Sequence, residues 1–169
     1  MRGASLELTL AGGGDVAGYE AKARQLGIER LVRFEGWIDQ QKVAQLMARS
    51  DALVLPSYDE GLPLVILEAL ANGVAVICTP VGEIPSVLAN GVNACFVPPG
   101  DVAAIAAALQ LVLREPELME TLGRNGRTLY EKQFSLSRFF SGVARIHQRH
   151  FGVAAQLSDA GAAAHEDTP

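Results

Sequence analysis

Two carboxylates and a helix start stand out as the residues best able to do chemistry. They lie in Pro56-Ser57-Tyr58-Asp59-Glu60-Gly61-Leu62-Pro63-Leu64-Val65-Ile66-Leu67-Glu68, where seven residues separate Glu60 from Glu68. Glu68 is the only charge between Leu62 and Leu70. A lone carboxylate on an apolar helix is costly unless it faces a cleft, a partner or a ligand. The alternative is a core acid satisfied by an arginine or a backbone group. Gly61 frees the backbone for a tight turn, and Pro63 suits a first helical turn, where its missing N–H costs nothing. The free N–H groups from Gly61 to Leu64 and the positive end of the helix dipole would form a phosphate site. With Leu62 as the first helical residue, Glu68 lies about 9 Å further along the axis, at about 1.5 Å per residue. That offset suits a ribose attached to the phosphate. Glu60, at the mouth, would reach hydroxyls on whatever the phosphates carry.

A second candidate is Gly12-Gly13-Gly14-Asp15-Val16-Ala17, which fits the G-x-G-x-x-A dinucleotide fingerprint through Gly12 and Gly14. Glu35 stands about where a ribose-binding acid would follow. The same glycines also serve a plain strand-to-helix turn, and a carboxylate at Asp15 repels pyrophosphate unless it caps the helix. The third loop, Thr79 to Ser86, reads as structural punctuation. Trp37 and Phe34 can stack on a base or pack in a core. His147 and His150 share a helix face without a third ligand nearby, so solvated side chains are expected. There is no D-x-D, G-x-S-x-G or Walker sequence.

The elements that must position these loops follow from the apolar pattern. Strands are expected at Leu6–Ala11, Leu31–Phe34, Ala52–Leu55, Val74–Cys78 and Cys95–Val97. Helices are expected from Asp15 to about Gly27, Asp39 to Arg49, Leu62 to Ala71, Ile84 to Leu88 and Asp101 to about Leu113. Two more, Pro116 to about Gln133 and a Ser135-capped helix ending near Gly152, follow with no strand between them. Short, continuously apolar strands alternating with helices predict βαβ units and a parallel sheet. The fold class expected is therefore α/β, a Rossmann-like open parallel sheet with helices on both faces and extra C-terminal helices. Residues 1–152 form one domain, and the aperiodic tail 153–169 is expected to be disordered.

Composition narrows the function classes. The chain has 169 residues, 49% hydrophobic and 20% charged, with net charge -5. A pI near 5.2 argues against nucleic-acid binding, which needs a basic face. Mean hydropathy of +0.20 excludes an extended disordered chain. No apolar run reaches the length of a membrane span. The apolar start carries Glu7, a poor signal peptide. Cys78 and Cys95 read as small buried hydrophobes in a reducing, cytoplasmic setting rather than a disulfide framework.

Glu60-Gly61-Leu62-Pro63 followed by Leu67-Glu68-Ala69-Leu70-Ala71-Asn72-Gly73 resembles the E-x7-E signature of GT-B fold retaining glycosyltransferases, family 4 (glycosyl transferases group 1). Leu8 to Gly14 resembles the strand and glycine loop of that family. Val32 to Ile38 resembles the strand whose following loop meets the base through its backbone, which brings in Ile38. Ser50 to Ser57 and Val97-Pro98-Pro99-Gly100-Asp101 keep the family's order. Departures are Gly82-Glu83-Ile84-Pro85-Ser86 in place of Gly-Gly-x-Pro-Glu, and Ala94 where glycine is common.

The resemblance implies the C-terminal, nucleotide-sugar-binding half of a two-domain enzyme, without metal or other cofactor. It implies that Glu68 orients the ribose, while Glu60, the candidate catalytic residue, holds the donor sugar. An arginine and a lysine that hold the diphosphate in the family would precede this chain's first strand, as would the N-terminal acceptor-binding domain. The chain is then expected to be a fragment, inactive alone. The basic and aromatic helix Arg138 to Arg149 would pack on this domain or the absent one, with peripheral attachment of the full enzyme to a membrane left open. Two alternatives stand: a dinucleotide-binding oxidoreductase domain using Gly12, Gly14 and Glu35, and a non-catalytic nucleotide-binding partner subunit.

Overall fold

Ala75–Cys78 is an unbroken run of apolar residues, and every one of its four side chains is buried. A strand that is apolar on both faces must be covered on both. The computed structural model, which describes residues 6–152, shows how. The elements in chain order are β1 (Leu8–Ala11), α1 (Val16–Gln25), β2 (Val32–Gly36), α2 (Gln40–Ala48), β3 (Ala52–Leu55), α3 (Leu64–Asn72) and β4 (Ala75–Cys78). There follow α4 (Ile84–Val87), β5 (Cys95–Phe96), α5 (Val102–Arg114), α6 (Pro116–Gln133) and α7 (Leu136–Phe151). The expected α/β architecture is present, with parallel strands flanked by helices. The tail after Gly152 lies outside the described residues.

The strands form two groups, a β1-β2 pair and a three-stranded β3-β4-β5 sheet. On one side of β4, Val76 and Cys78 pack with Ile66, Ala69 and Leu70 of α3. On the other, Ile77 packs with Val97 and with Ala108 and Val112 of α5. Helix α6 then closes over α3. Its Gly123 lies so close to Gly73 that an added Cβ would stand 2.1 Å from the Gly73 carbonyl oxygen. Gly73 itself ends α3 in the left-handed conformation.

Caps explain most boundaries. Asp15, Asp39 and Asp101 each accept a hydrogen bond from the amide three residues on, starting α1, α2 and α5. Three expectations need correction. β1 begins at Leu8 rather than Leu6, because its ladder with β2 starts at the Leu8–Val32 pair; Glu7, just before it, pairs with Arg33 of β2 at 2.8 Å. Helix α3 begins at Leu64, not Leu62, because Pro63 keeps an extended ψ of 131° and occupies the cap position. Ser135 stands at the cap of α7 without capping it, its hydroxyl donating back to the Glu131 carbonyl.

Gly123→Ala should cost about 1–3 kcal/mol, since backbone rather than a side-chain tip must move. Gly142→Ala, in open space within α7, should instead gain about 0.5–1 kcal/mol. Paired thermal melts check both signs.

Candidate functional site

In parallel sheets the loops at the C-terminal strand ends line the ligand crevice. Here those loops are Gly12 to Asp15, Trp37 to Asp39, Pro56 to Pro63, Thr79 to Glu83 and Val97 to Asp101. The β3–α3 loop is the most firmly built. Ser57 donates its hydroxyl proton to Glu60 Oε1 at 2.7 Å, which fixes the half-buried carboxylate. Thr79, wholly buried at the end of β4, donates to the Ser57 carbonyl at 2.6 Å. The Glu83 amide donates to the Gly61 carbonyl at 3.1 Å. A Cβ on Gly82 would stand 1.8 Å from the Glu60 carbonyl oxygen, and its φ of +56° favours glycine in any case. The Thr79–Ser86 loop is therefore a prop under Glu60 as well as a turn.

With α3 starting at Leu64, the distance along its axis to Glu68 is about 6 Å rather than 9 Å. The amides of Leu64 and Val65 have no side-chain cap, so they remain available to an anion. Gly61 and Leu62 lead into the helix rather than forming its first turn. Leu64 is 73% exposed, and Glu68 follows one turn later on the same helical face. Glu68 is half-buried. Its backbone carbonyl accepts from Asn72, while its carboxylate has no hydrogen bond or ion pair among the described residues. Arg127, on the neighbouring α6, is occupied by Glu131 and the Ala71 carbonyl. Glu68 is thus no arginine-paired core acid.

The first loop meets the second rather than the third. The Gly12 amide donates to the Gly36 carbonyl at 2.7 Å, and Gly12 and Gly14 hold φ of +127° and +111°. Asp15 takes the capping role that its place beside a phosphate would require. Trp37 is 87% exposed and lies against Gly13, so it is not a core residue. Phe34 and Ile38 are half-buried. Glu35 is paired with Lys42 at 3.5 Å rather than standing free for a ribose. His147 and His150 are exposed, with His147 packed on the Phe151 ring. No group of three metal-ligating side chains occurs among the described residues. Cys78 and Cys95 are free thiols on opposite faces of the sheet. Burial, with a lesser contribution from Cys95, pushes the Cys78 thiol from about 9 up to about 12.

Each of the five loops carries at least one acidic residue and no Lys, Arg or His: Asp15, Asp39, Asp59 with Glu60, Glu83 and Asp101. Attraction for an anion comes only from amides and helix starts. Sequence reasoning missed Ser57, Thr79 and Gly82. The available signal was a hydroxyl three residues before Glu60 and another closing an otherwise apolar strand.

Residues 2–129 match the Glycosyl transferases group 1 family. The chain belongs to that family. It is 32% identical over 141 residues to a glycogen synthase of Mycobacterium tuberculosis, covering 83% of this chain and 34% of that protein. The fold is similar to that of sucrose-phosphate synthase from Thermosynechococcus elongatus, at a TM-score of 0.76 and 29% identity, over 86% of this chain and 39% of that one. It is also similar to Anabaena HepE in complex with UDP-glucose, at a TM-score of 0.75 and 23% identity, over 85% and 41%. The chain thus spans about a third of the length of the curated relatives it matches. No helix among the described residues of this glycosyltransferase domain is long and apolar enough to cross a membrane.

Two outcomes follow. Gly82→Ala should lower Tm by several degrees, because strained φ and a backbone clash combine. The raised Cys78 pKa means that the fold disfavours the thiolate. Its contribution to stability is full below about pH 9 and lost as pH rises toward about 12. Wild-type Tm should therefore fall more steeply across that window than the Tm of Cys78→Ala, as calorimetry at stepped pH would record.

Proposed function

We propose that this domain binds a nucleotide-diphosphate sugar and serves retaining transfer of that sugar to an acceptor, as in family 4. The observation that carries the reading is the unpaired Glu68 carboxylate one turn below the uncapped start of α3. Phosphate would sit on the Leu64 and Val65 amides, with Glu68 accepting from both ribose hydroxyls. The HepE complex with UDP-glucose supports a donor of this chemistry. Ile38 and the Gly12–Gly14 loop would border the base through backbone groups.

The leaving group is a nucleoside diphosphate, so catalysis consists largely of stabilising charge on the departing phosphate. Preorganised amides do this without reorganisation. Glu60, held by Ser57, would fix the donor sugar and its reacting carbon, so the chemistry begins from an aligned pair. Cations for the diphosphate would come from outside these acidic loops, from protein side chains rather than a metal. The acceptor would be held by a further domain, leaving the isolated 169-residue chain without transfer activity. The exposed Phe139, Phe140 and Val143 of α7 would pack on that domain, and a membrane surface is the competing destination.

Glu68→Gln should weaken binding of a nucleoside diphosphate on the order of ten- to a hundredfold, the equivalent of about 1.5–3 kcal/mol for hydrogen bonds to a charged acceptor. Its 2′,3′-dideoxy form should bind both proteins alike. Tm should change little, because no structural partner is lost. Calorimetric titration with both nucleotides, beside a melt, tests this. A large loss of Tm with unchanged discrimination between the nucleotides would overturn the assignment.

A further inference from the structure

Trp37 is the one tryptophan of the chain, and 87% of it is exposed. It directly follows β2 and precedes the Asp39 cap of α2. Its ring is nevertheless held in one place. Nε1, Cε2 and Cζ2 of the indole lie 2.8, 3.0 and 3.2 Å from where a Cβ on Gly13 would stand. Gly12 and Gly14 need glycine for their positive φ, but Gly13 is not among the residues with positive φ. What Gly13 provides is room, because any side chain there would meet the indole. The glycine loop and the ring are matched to each other, and most of the ring surface stays open. The platform belongs to the crevice. It joins the loops that end β1 and β2, and α2, which begins three residues later, packs beside α3 through Val43 and Met47.

Around this ring no side chain is left to read the edge of a base. Gly12, Gly13, Gly14 and Ile38 offer only backbone polar groups. Asp15 and Asp39 hold the Gly18 and Lys42 amides, and Glu35 is paired with Lys42. We propose that the Trp37 indole stacks on the nucleobase of the donor, so that the site takes uridine, guanosine and adenosine diphosphates with similar affinity. This rests on the nucleotide-sugar reading above and says how the base is held. Every base has a π-face, so an aromatic platform attracts all of them. Strong discrimination needs a polar partner that the wrong base leaves unpaired. The acidic side chains of these two loops are committed to helix caps, and the one at the end of β2 to an ion pair.

Because Trp37 is the only indole, its emission reports the contact directly in the 169-residue chain. UDP, GDP and ADP should each quench it, with dissociation constants within about fivefold of one another. Ribose 5-diphosphate, which keeps the phosphates and sugar hydroxyls but lacks a base, should bind by calorimetry without quenching. Trp37→Ala should weaken all three nucleotides alike, on the order of ten- to a hundredfold, and leave Tm and ribose 5-diphosphate binding unchanged. Trp37→Phe should restore most of the affinity. The proposal fails if calorimetry records nucleotide binding while the emission stays constant, or if Trp37→Ala binds as the wild type does. The Glu68 assignment would stand in either case. It also fails if one base is preferred by more than about tenfold, since some group then reads its edge. An emission shift that follows protein concentration without nucleotide would assign the ring to a contact between copies and overturn it too. If Glu68→Gln bound like the wild type while quenching persisted, the ribose role of Glu68 would fall and the stacking would not. Binding of none of the three nucleotides would overturn both.

Discussion

The burial of β4 on both faces holds the molecule together, and the site inherits its positions from that one constraint. Val76 and Cys78 anchor α3 through Ile66, Ala69 and Leu70, while Ile77 anchors α5 through Ala108 and Val112. With its buried face committed, α3 leaves Leu64, Glu68 and Asn72 on its opposite face, with Leu64 and Glu68 nearest the crevice end. The end of the same strand supplies Thr79, whose hydroxyl holds Ser57, whose hydroxyl in turn holds Glu60. Both candidate acids are thus tied to one apolar strand, one through a helix face and the other through two hydrogen bonds.

The electrostatics of the rim follow from capping. Aspartates at 15, 39 and 101 begin helices by accepting amide protons, which leaves their helix starts satisfied and the rim acidic. Helix α3 is different, because Pro63 has no side chain able to cap it. Its first amides are therefore the ones left for an anion, beside the carboxylate best placed for sugar hydroxyls. Of the four longer helices that follow these loops, α1, α2, α3 and α5, it is α3 that starts without a side-chain cap, which is why phosphate is proposed there.

Much of this was legible in the chain itself. Short strands, apolar on both faces and alternating with amphipathic helices, encode a parallel α/β fold because no other arrangement covers both faces. Glu68 was conspicuous for the same reason, as a charge where every neighbour is apolar. Ser57, Thr79 and Gly82 were not conspicuous, since hydroxyls and glycines near strand ends are ordinary. Their roles depend on a loop more than twenty positions away lying directly beneath Glu60.

Sequence by itself determined the element order, the aspartate caps of α1 and α5 and the family, and it put the pair of acids forward, because propensity, periodicity and motif spacing are local. Tertiary structure decided that Trp37 lies exposed on Gly13, that Glu35 is held by Lys42, that α3 begins at Leu64 and that the sheet is in two parts. Each of these depends on which distant backbone or side chain competes for the same groups. Edge pairing in particular is set by neighbours in space, so a strand's own residues cannot say whether both of its edges are filled.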